Sequence, residues 1–215
     1  MKRTISLLLA CALGTGLLAG CGTGRSEGGS QPSDSAQSSS SGQPDGAQSA
    51  SSAQADRNSA AALGSLAHFT AGTLDGGSFT QDDIGTKDVT VVNFWALSCG
   101  PCIVEMPDLA EFAGALPDNV QLVTVCLDGS GSEEAVREVL DRAGFQGITI
   151  IAGDGDLGAL ANNLMYTPTT VFADSEGSLV GSAVIGRQAD LSEAYLEGVN
   201  RVLKAEGKDE ISLES

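Results

Sequence analysis

Hydrophobic and polar positions along the chain divide it into a sparse N-terminal third and a densely patterned remainder. In the remainder, residues 69–80 form two short, partly alternating segments around Asp75-Gly76-Gly77, the pattern of a β-hairpin. Residues 88–95 (DVTVVNFW) are apolar on both sides, which predicts a central strand covered on both faces. Residues 100–115 follow with helical spacing through Ile103, Met106, Leu109, Ala110 and Ala113, and Pro107 inside the run is expected to kink the helix.

A second buried strand is predicted over 119–127. Ser132 opens a helix that Gly144 stops, and a third strand spans 148–152. Then come a short helix over 156–164, a strand over 169–173, a turn at 174–177, a strand over 179–185 and a last helix over 190–205. The order β-α-β-α-β-α-β-β-α joins crossover units to a terminal hairpin, so the fold class is α/β, with a mixed central sheet and helices on both faces.

The N-terminal third reads differently. Met1, Lys2 and Arg3 precede an apolar run from Ile5 to Leu18, the layout of a secretory signal peptide and shorter than the about 20 residues of a spanning helix. Leu18-Ala19-Gly20-Cys21 resembles the bacterial lipobox, which implies cleavage after residue 20 and lipidation of Cys21; the competing reading is an ordinary cleavable signal. Several acyl chains on one residue hold a membrane far better than a single one. Residues 22–62 are Ser, Gln, Gly, Ala, Asp and Pro with almost no large apolar side chain, so they cannot offset the entropy of ordering. As a random coil such a tether spans about 35 Å. The expected organisation is signal peptide 1–20, lipidated residue and tether 21–63, and one compact domain 64–215, with a monomer expected.

A formal net charge of −17 disfavours phosphate-backbone binding, so no nucleic-acid partner is expected; basic or neutral protein surfaces suit the chain better.

The chemistry lies at Cys99-Gly100-Pro101-Cys102, where a buried strand passes into a helix. Unpaired N–H groups in the first helical turn favour a thiolate at Cys99, while Cys102, one turn on, faces inward. Exchange then runs through a mixed disulfide that Cys102 resolves. Zinc needs two more ligands, and Cys126 and His68 supply no second pair, so no metal is expected. A structural staple between such near neighbours constrains little chain entropy. Cys126, inside an apolar strand, reads as a core residue.

The run Val91 to Cys102 (VVNFWALSCGPC), followed by Glu105-Met106-Pro107 and preceded by Thr73-Leu74-Asp75-Gly76 and Lys87, resembles the TlpA/ResA-like branch of the thioredoxins over about residues 69–205. The resemblance implies a thioredoxin fold with an N-terminal hairpin and an inserted αβ element near 132–152. It also implies disulfide reduction outside the cytoplasm by a membrane-anchored enzyme that needs no cofactor, acts on protein disulfides and draws electrons from a membrane thiol carrier.

By position, Cys99 is implied as the attacking cysteine, Cys102 as the resolving one, and Glu105 as the acid that tunes them; a solvated helix carboxylate is the plainer reading of Glu105. Thr167-Pro168 resembles the cis-proline loop, whose backbone pairs with an extended substrate. Trp95, Ser98, Gly100 and Pro101 are expected on the substrate side, although Trp95 also suits core packing. Ser98 replaces a tryptophan usual in that branch, and Asn93 stands where cytoplasmic thioredoxins carry a buried aspartate. Gly-Pro between the cysteines favours reduction over oxidation. Two other readings stand beside this one: a partner-binding lipoprotein without redox function, and a peroxiredoxin-like peroxidase, against which Ala96 lacks the required hydroxyl.

Overall fold

The computed structural model describes residues 63–213. The expected signal peptide, Cys21 and nearly all of the tether lie outside the described residues. Strands β1 (Thr70–Thr73) and β2 (Ser78–Thr80) form the expected hairpin, with Gly76 at φ +81° in its turn, where glycine alone is unstrained. A short helix that the apolar pattern does not signal, α1 (Gln81–Ile84), follows at once. Thr80 and Asp83 close a reciprocal capping box at its start, so local hydrogen bonds rather than periodicity build it.

Strand β3 (Val89–Trp95) is buried along its whole length. Its odd-numbered positions, Val89, Val91 and Trp95, join one apolar cluster, while Val92 and Phe94 join another. This is period-two alternation between two covered faces. Helix α2 (Gly100–Ala115) continues through Pro107 as one helix, and β4 (Val120–Cys126) pairs parallel to β3. Helix α3 (Glu133–Ala143) ends on Gly144 at φ +75°, as expected of a left-handed cap. At its start Ser132 makes no side-chain cap bond; its carbonyl accepts from Val136 instead.

Then follow β5 (Ile148–Gly153), α4 (Gly155–Asn163), β6 (Thr169–Asp174), β7 (Val184–Ile185) and α5 (Leu191–Ala205). The strand expected over 179–185 is cut down to bridges and the two residues of β7. Gly181 at φ +80° breaks it, because a left-handed residue cannot continue an extended ladder.

The seven strands lie in the order β2-β1-β5-β4-β3-β6-β7, with β3, β4 and β5 parallel and the rest antiparallel. The α3–β5 unit therefore extends the sheet beyond β4 and receives the hairpin on its outer edge. Buried residues of α2, α3 and α5 cover one face, and those of α1 and α4 the other. At Gly198 in α5 an added Cβ would overlap the Phe172 ring, so only glycine lets this helix lie so close to β6. Among the described residues no helix is long and apolar enough to cross a membrane.

Candidate active site

Cys99 caps the N-terminus of α2 and is bonded to Cys102 as a disulfide. The Cys102 backbone N–H donates to Cys99 Sγ at 3.2 Å, and no acidic residue occupies the first turn of α2. Backbone donor and helix dipole thus converge on one sulfur, which favours negative charge there once the bond is opened. The two sulfurs differ in access: Cys99 is half-buried and flanked by exposed Ser98, Gly100 and Pro101, whereas Cys102 is 0% exposed. Across the cleft, the Thr167–Pro168 peptide is cis and the Thr167 carbonyl oxygen lies 3.5 Å from Cys99 Sγ. Residues 68 positions apart in sequence therefore face each other over the disulfide.

Behind the disulfide lies a buried polar cluster. Glu105, one turn beyond Cys102 on α2, is 2% exposed, which removes the solvated-carboxylate reading. Asn93 reaches it from β3, with Nδ2 donating toward Glu105 Oε1 at 3.4 Å. Burial pushes the Glu105 carboxyl up to about 7; the Asn93 amide and the Arg187 guanidinium oppose this, and Asp108 adds to it. Its second oxygen, Oε2, has no partner among the described residues. A carboxyl held near 7 can give or take a proton at neutral pH.

Trp95 is corrected by its surroundings. It is 0% exposed and belongs to the same apolar cluster as Cys102, Met106 and Leu109, so it supports the site from beneath rather than lining the substrate side. Its position in β3 points it to the face that α2 covers. Cys126, the register partner of Trp95, is buried as expected, and burial beside the Asp128 carboxylate pushes its thiol up to about 12.

Several site features escape the sequence reading. Asp128, just past β4, accepts from the backbone N–H groups of Leu97 at 2.7 Å and Ser98 at 3.3 Å, and from the Ser98 hydroxyl at 3.2 Å. Desolvation works against its ionisation, but these donors outweigh it and hold the carboxyl below its ordinary value. An aspartate after a buried strand carries no signal of its own; only the return of β4 beside β3 gives it a task. Met165, Tyr166 and Val104 are large apolar side chains left 70%, 52% and 61% exposed. The first two directly precede Thr167, and Val104 lies two residues beyond Cys102.

Residues 64–182 match the model of the AhpC/TSA family, more than half of the chain. The chain belongs to the AhpC/TSA family. The chain is 28% identical over 143 residues to the thiol-disulfide oxidoreductase ResA of Halalkalibacterium halodurans, covering 66% of this chain and 78% of that protein. It is also 43% identical over 56 residues to a thioredoxin of Alicyclobacillus acidocaldarius, a segment that spans 26% of this chain and 52% of the thioredoxin.

Among solved structures, the thioredoxin domain of a Bacteroides vulgatus thiol-disulfide oxidoreductase superposes with a TM-score of 0.52 at 24% identity, covering 64% of this chain and 97% of that one. A putative thioredoxin from Neisseria meningitidis gives 0.51 at 26% identity, over 62% and 87%. The fold is therefore the thioredoxin fold, and this AhpC/TSA-family chain is a thiol-disulfide oxidoreductase homologue that carries the Cys-x-x-Cys pair.

Proposed function

We propose that this AhpC/TSA-family protein reduces disulfides in exported proteins from the outer side of the cytoplasmic membrane, held there by a lipid on Cys21. The unequal access of the two sulfurs is the observation that carries the reaction: Cys99 is half-buried at a helix N-terminus, while Cys102 is wholly buried with Glu105 one turn behind it. In the reduced protein, the Cys99 thiolate attacks a substrate sulfur. The substrate S–S bond breaks, a Cys99–substrate mixed disulfide forms, and the departing substrate sulfur takes up a proton.

The Cys102 thiol then passes its proton to the Glu105 carboxylate and attacks Cys99 Sγ, which expels the second substrate thiolate. Two electrons have moved from the dithiol to the substrate, and the Cys99–Cys102 disulfide remains. A membrane thiol carrier supplies the next pair of electrons. The substrate lies extended along the backbone of Thr167-Pro168, with Ser98, Gly100 and Pro101 bordering the sulfur, an arrangement supported by the exposure of Ser98, Gly100 and Pro101 and by the Thr167 carbonyl facing Cys99.

Cys102→Ser should trap a mixed disulfide on Cys99 that runs as a higher band on non-reducing gels and vanishes with dithiothreitol. Cys99→Ser should abolish both trapping and turnover. Complementation of a deletion by Cys99→Ser would show instead a partner-binding lipoprotein with no redox role. The family match favours one second reading, peroxide reduction. Ala96, three residues before Cys99, has no hydroxyl to orient a peroxide, and consumption of hydrogen peroxide by the reduced protein, matched by Cys99 oxidation, would reverse the assignment.

A further inference from the structure

The Asn93 amide stands between the buried acid and two hydroxyls. Its Nδ2 lies 3.0 Å from Thr170 Oγ1, 3.2 Å from the Tyr195 hydroxyl and 3.4 Å from Glu105 Oε1. The two hydroxyl oxygens are themselves 2.6 Å apart. Oxygens that close lie on the same side of the amide nitrogen, so they share one of its two hydrogens and leave the other for the carboxylate. One hydroxyl gives its proton to the other, and lone pairs left on the two oxygens accept from the amide.

The opposite orientation would withdraw the N–H groups from the Glu105 carboxylate and the hydroxyl pair and set Asn93 Oδ1 against the carboxylate, with only the pair's one unused O–H to meet it. Oδ1 is left without a partner among the described residues, a cost of about 1–3 kcal/mol for a buried acceptor, and the observed orientation persists only because something else fixes it.

Nothing in β3 itself fixes a terminal amide, whose last torsion is broad and two-fold. Its neighbours do. Thr170 is the antiparallel partner of Asn93 across β3 and β6, so both side chains leave the same face of the sheet. The Tyr195 ring, from α5, is held edge-on against Phe112 at 5.5 Å and Phe172 at 6.0 Å, which sets where its hydroxyl sits. All four polar residues are at most 2% exposed.

We propose that Thr170 and Tyr195 are positioning residues for disulfide exchange: their hydroxyl pair locks the Asn93 amide with an N–H toward Glu105 and thereby sets the proton affinity of that acid. The inference rests on the reading of Glu105 as proton acceptor for Cys102. The other charged groups acting on Glu105 are Asp108 on α2 and Arg187 in the segment before α5, whose guanidinium pairs with Asp108 at 3.6 Å. Thr170→Val and Tyr195→Phe leave both in place.

The test uses the full chain, reduced with dithiothreitol and labelled with ¹³C at glutamate carboxyls, the Glu105 signal being assigned by its loss in Glu105→Gln. Thr170→Val and Tyr195→Phe should each raise the Glu105 titration midpoint by about half to one pH unit, as expected when a hydrogen bond to the charged form is lost. The pH at which release from the mixed disulfide is half-maximal should rise with it. Thr170→Ser, which keeps the hydroxyl and the sheet pairing, should restore the wild-type midpoint. A midpoint that is unchanged or lowered in a folded Thr170→Val or Tyr195→Phe protein overturns the proposal, as does failure of Thr170→Ser to restore it. If Glu105→Gln leaves the exchange rate untouched, the role of Glu105 fails instead, and the carboxyl titration still decides the positioning.

Discussion

Asp128 accepts the backbone N–H of Leu97 at 2.7 Å and so ties the turn after β4 to the turn that presents Cys99. Two donors on Ser98 join the same carboxylate, and Cys126 Sγ lies 3.5 Å from its Oδ1. Asp128→Ala should free this turn at a cost of about 1 kcal/mol, since charge-assisted bonds at an exposed site are discounted by solvent. Thermal unfolding should show a fall of roughly 2–4 °C. Hydrogen exchange should quicken at Leu97 and Ser98 and stay unchanged in β6. Unchanged exchange at those two amides would show that the turn stands without its aspartate.

In the proposed reaction Glu105 links exchange to pH, and its burial links stability to pH as well. Burial raises its folded-state value from the ordinary 4.5 to about 7. Between those values the folded chain holds a proton that the unfolded chain has released. This contribution to stability is full below about pH 4.5, falls as pH rises through the window, and is constant above about 7. Urea unfolding of wild type and Glu105→Gln at a series of pH values should therefore show the variant gaining relative to wild type between about pH 4.5 and 7, with no further gain above that. Its rate of release from the mixed disulfide should fall by about 100-fold, the lower end of what a positioned acid or base supplies, and lose its inflection near pH 7. Parallel stability curves for the two proteins would place the titration elsewhere.

The exposed Met165 and Tyr166 offer apolar contact to a protein substrate but nothing to a small aromatic disulfide reagent. Met165→Ser with Tyr166→Ser should lower kcat/KM for a protein disulfide by about 10-fold, the effect of losing one or two kcal/mol of apolar burial. Turnover of the small reagent should hold. Equal losses on both substrates would point to damage at Cys99 itself.

The thiols should separate cleanly by reactivity. With its value pushed up to about 12 and 1% exposure, Cys126 should resist iodoacetamide in the reduced native protein at pH 7.5, while Cys99 reacts within minutes. Mass spectrometry before and after denaturation should show Cys126 modified only in the unfolded chain. Native labelling of Cys126 would mean that the strand end opens.

The direction of exchange should follow the Gly100-Pro101 dipeptide. Equilibration against glutathione should give a reduction potential near the thioredoxin value of about −270 mV. A potential near −120 mV would make the protein an oxidant.

Much of this protein was determined by sequence alone, because its signals are local. Period-two and helical spacing set β3, β4, α2 and α5 to within a residue or so, and a Cys-x-x-Cys at the junction of a buried strand and a helix already specified sulfur chemistry. Where local hydrogen bonds or a single glycine governed, as at α1 and at Gly181, the apolar pattern misjudged the element.

What only the tertiary structure decided is the surroundings of the sulfurs. That Thr170 faces Asn93, that Trp95 lies beneath the site and not at its rim, that Glu105 is buried, and that Asp128 clamps Leu97 all depend on which strands lie side by side and in what register. Those choices are made by contacts between residues tens of positions apart, and side chains carry no mark of their future neighbours. The cysteines name the reaction; the sheet sets the proton affinities and the access with which it runs.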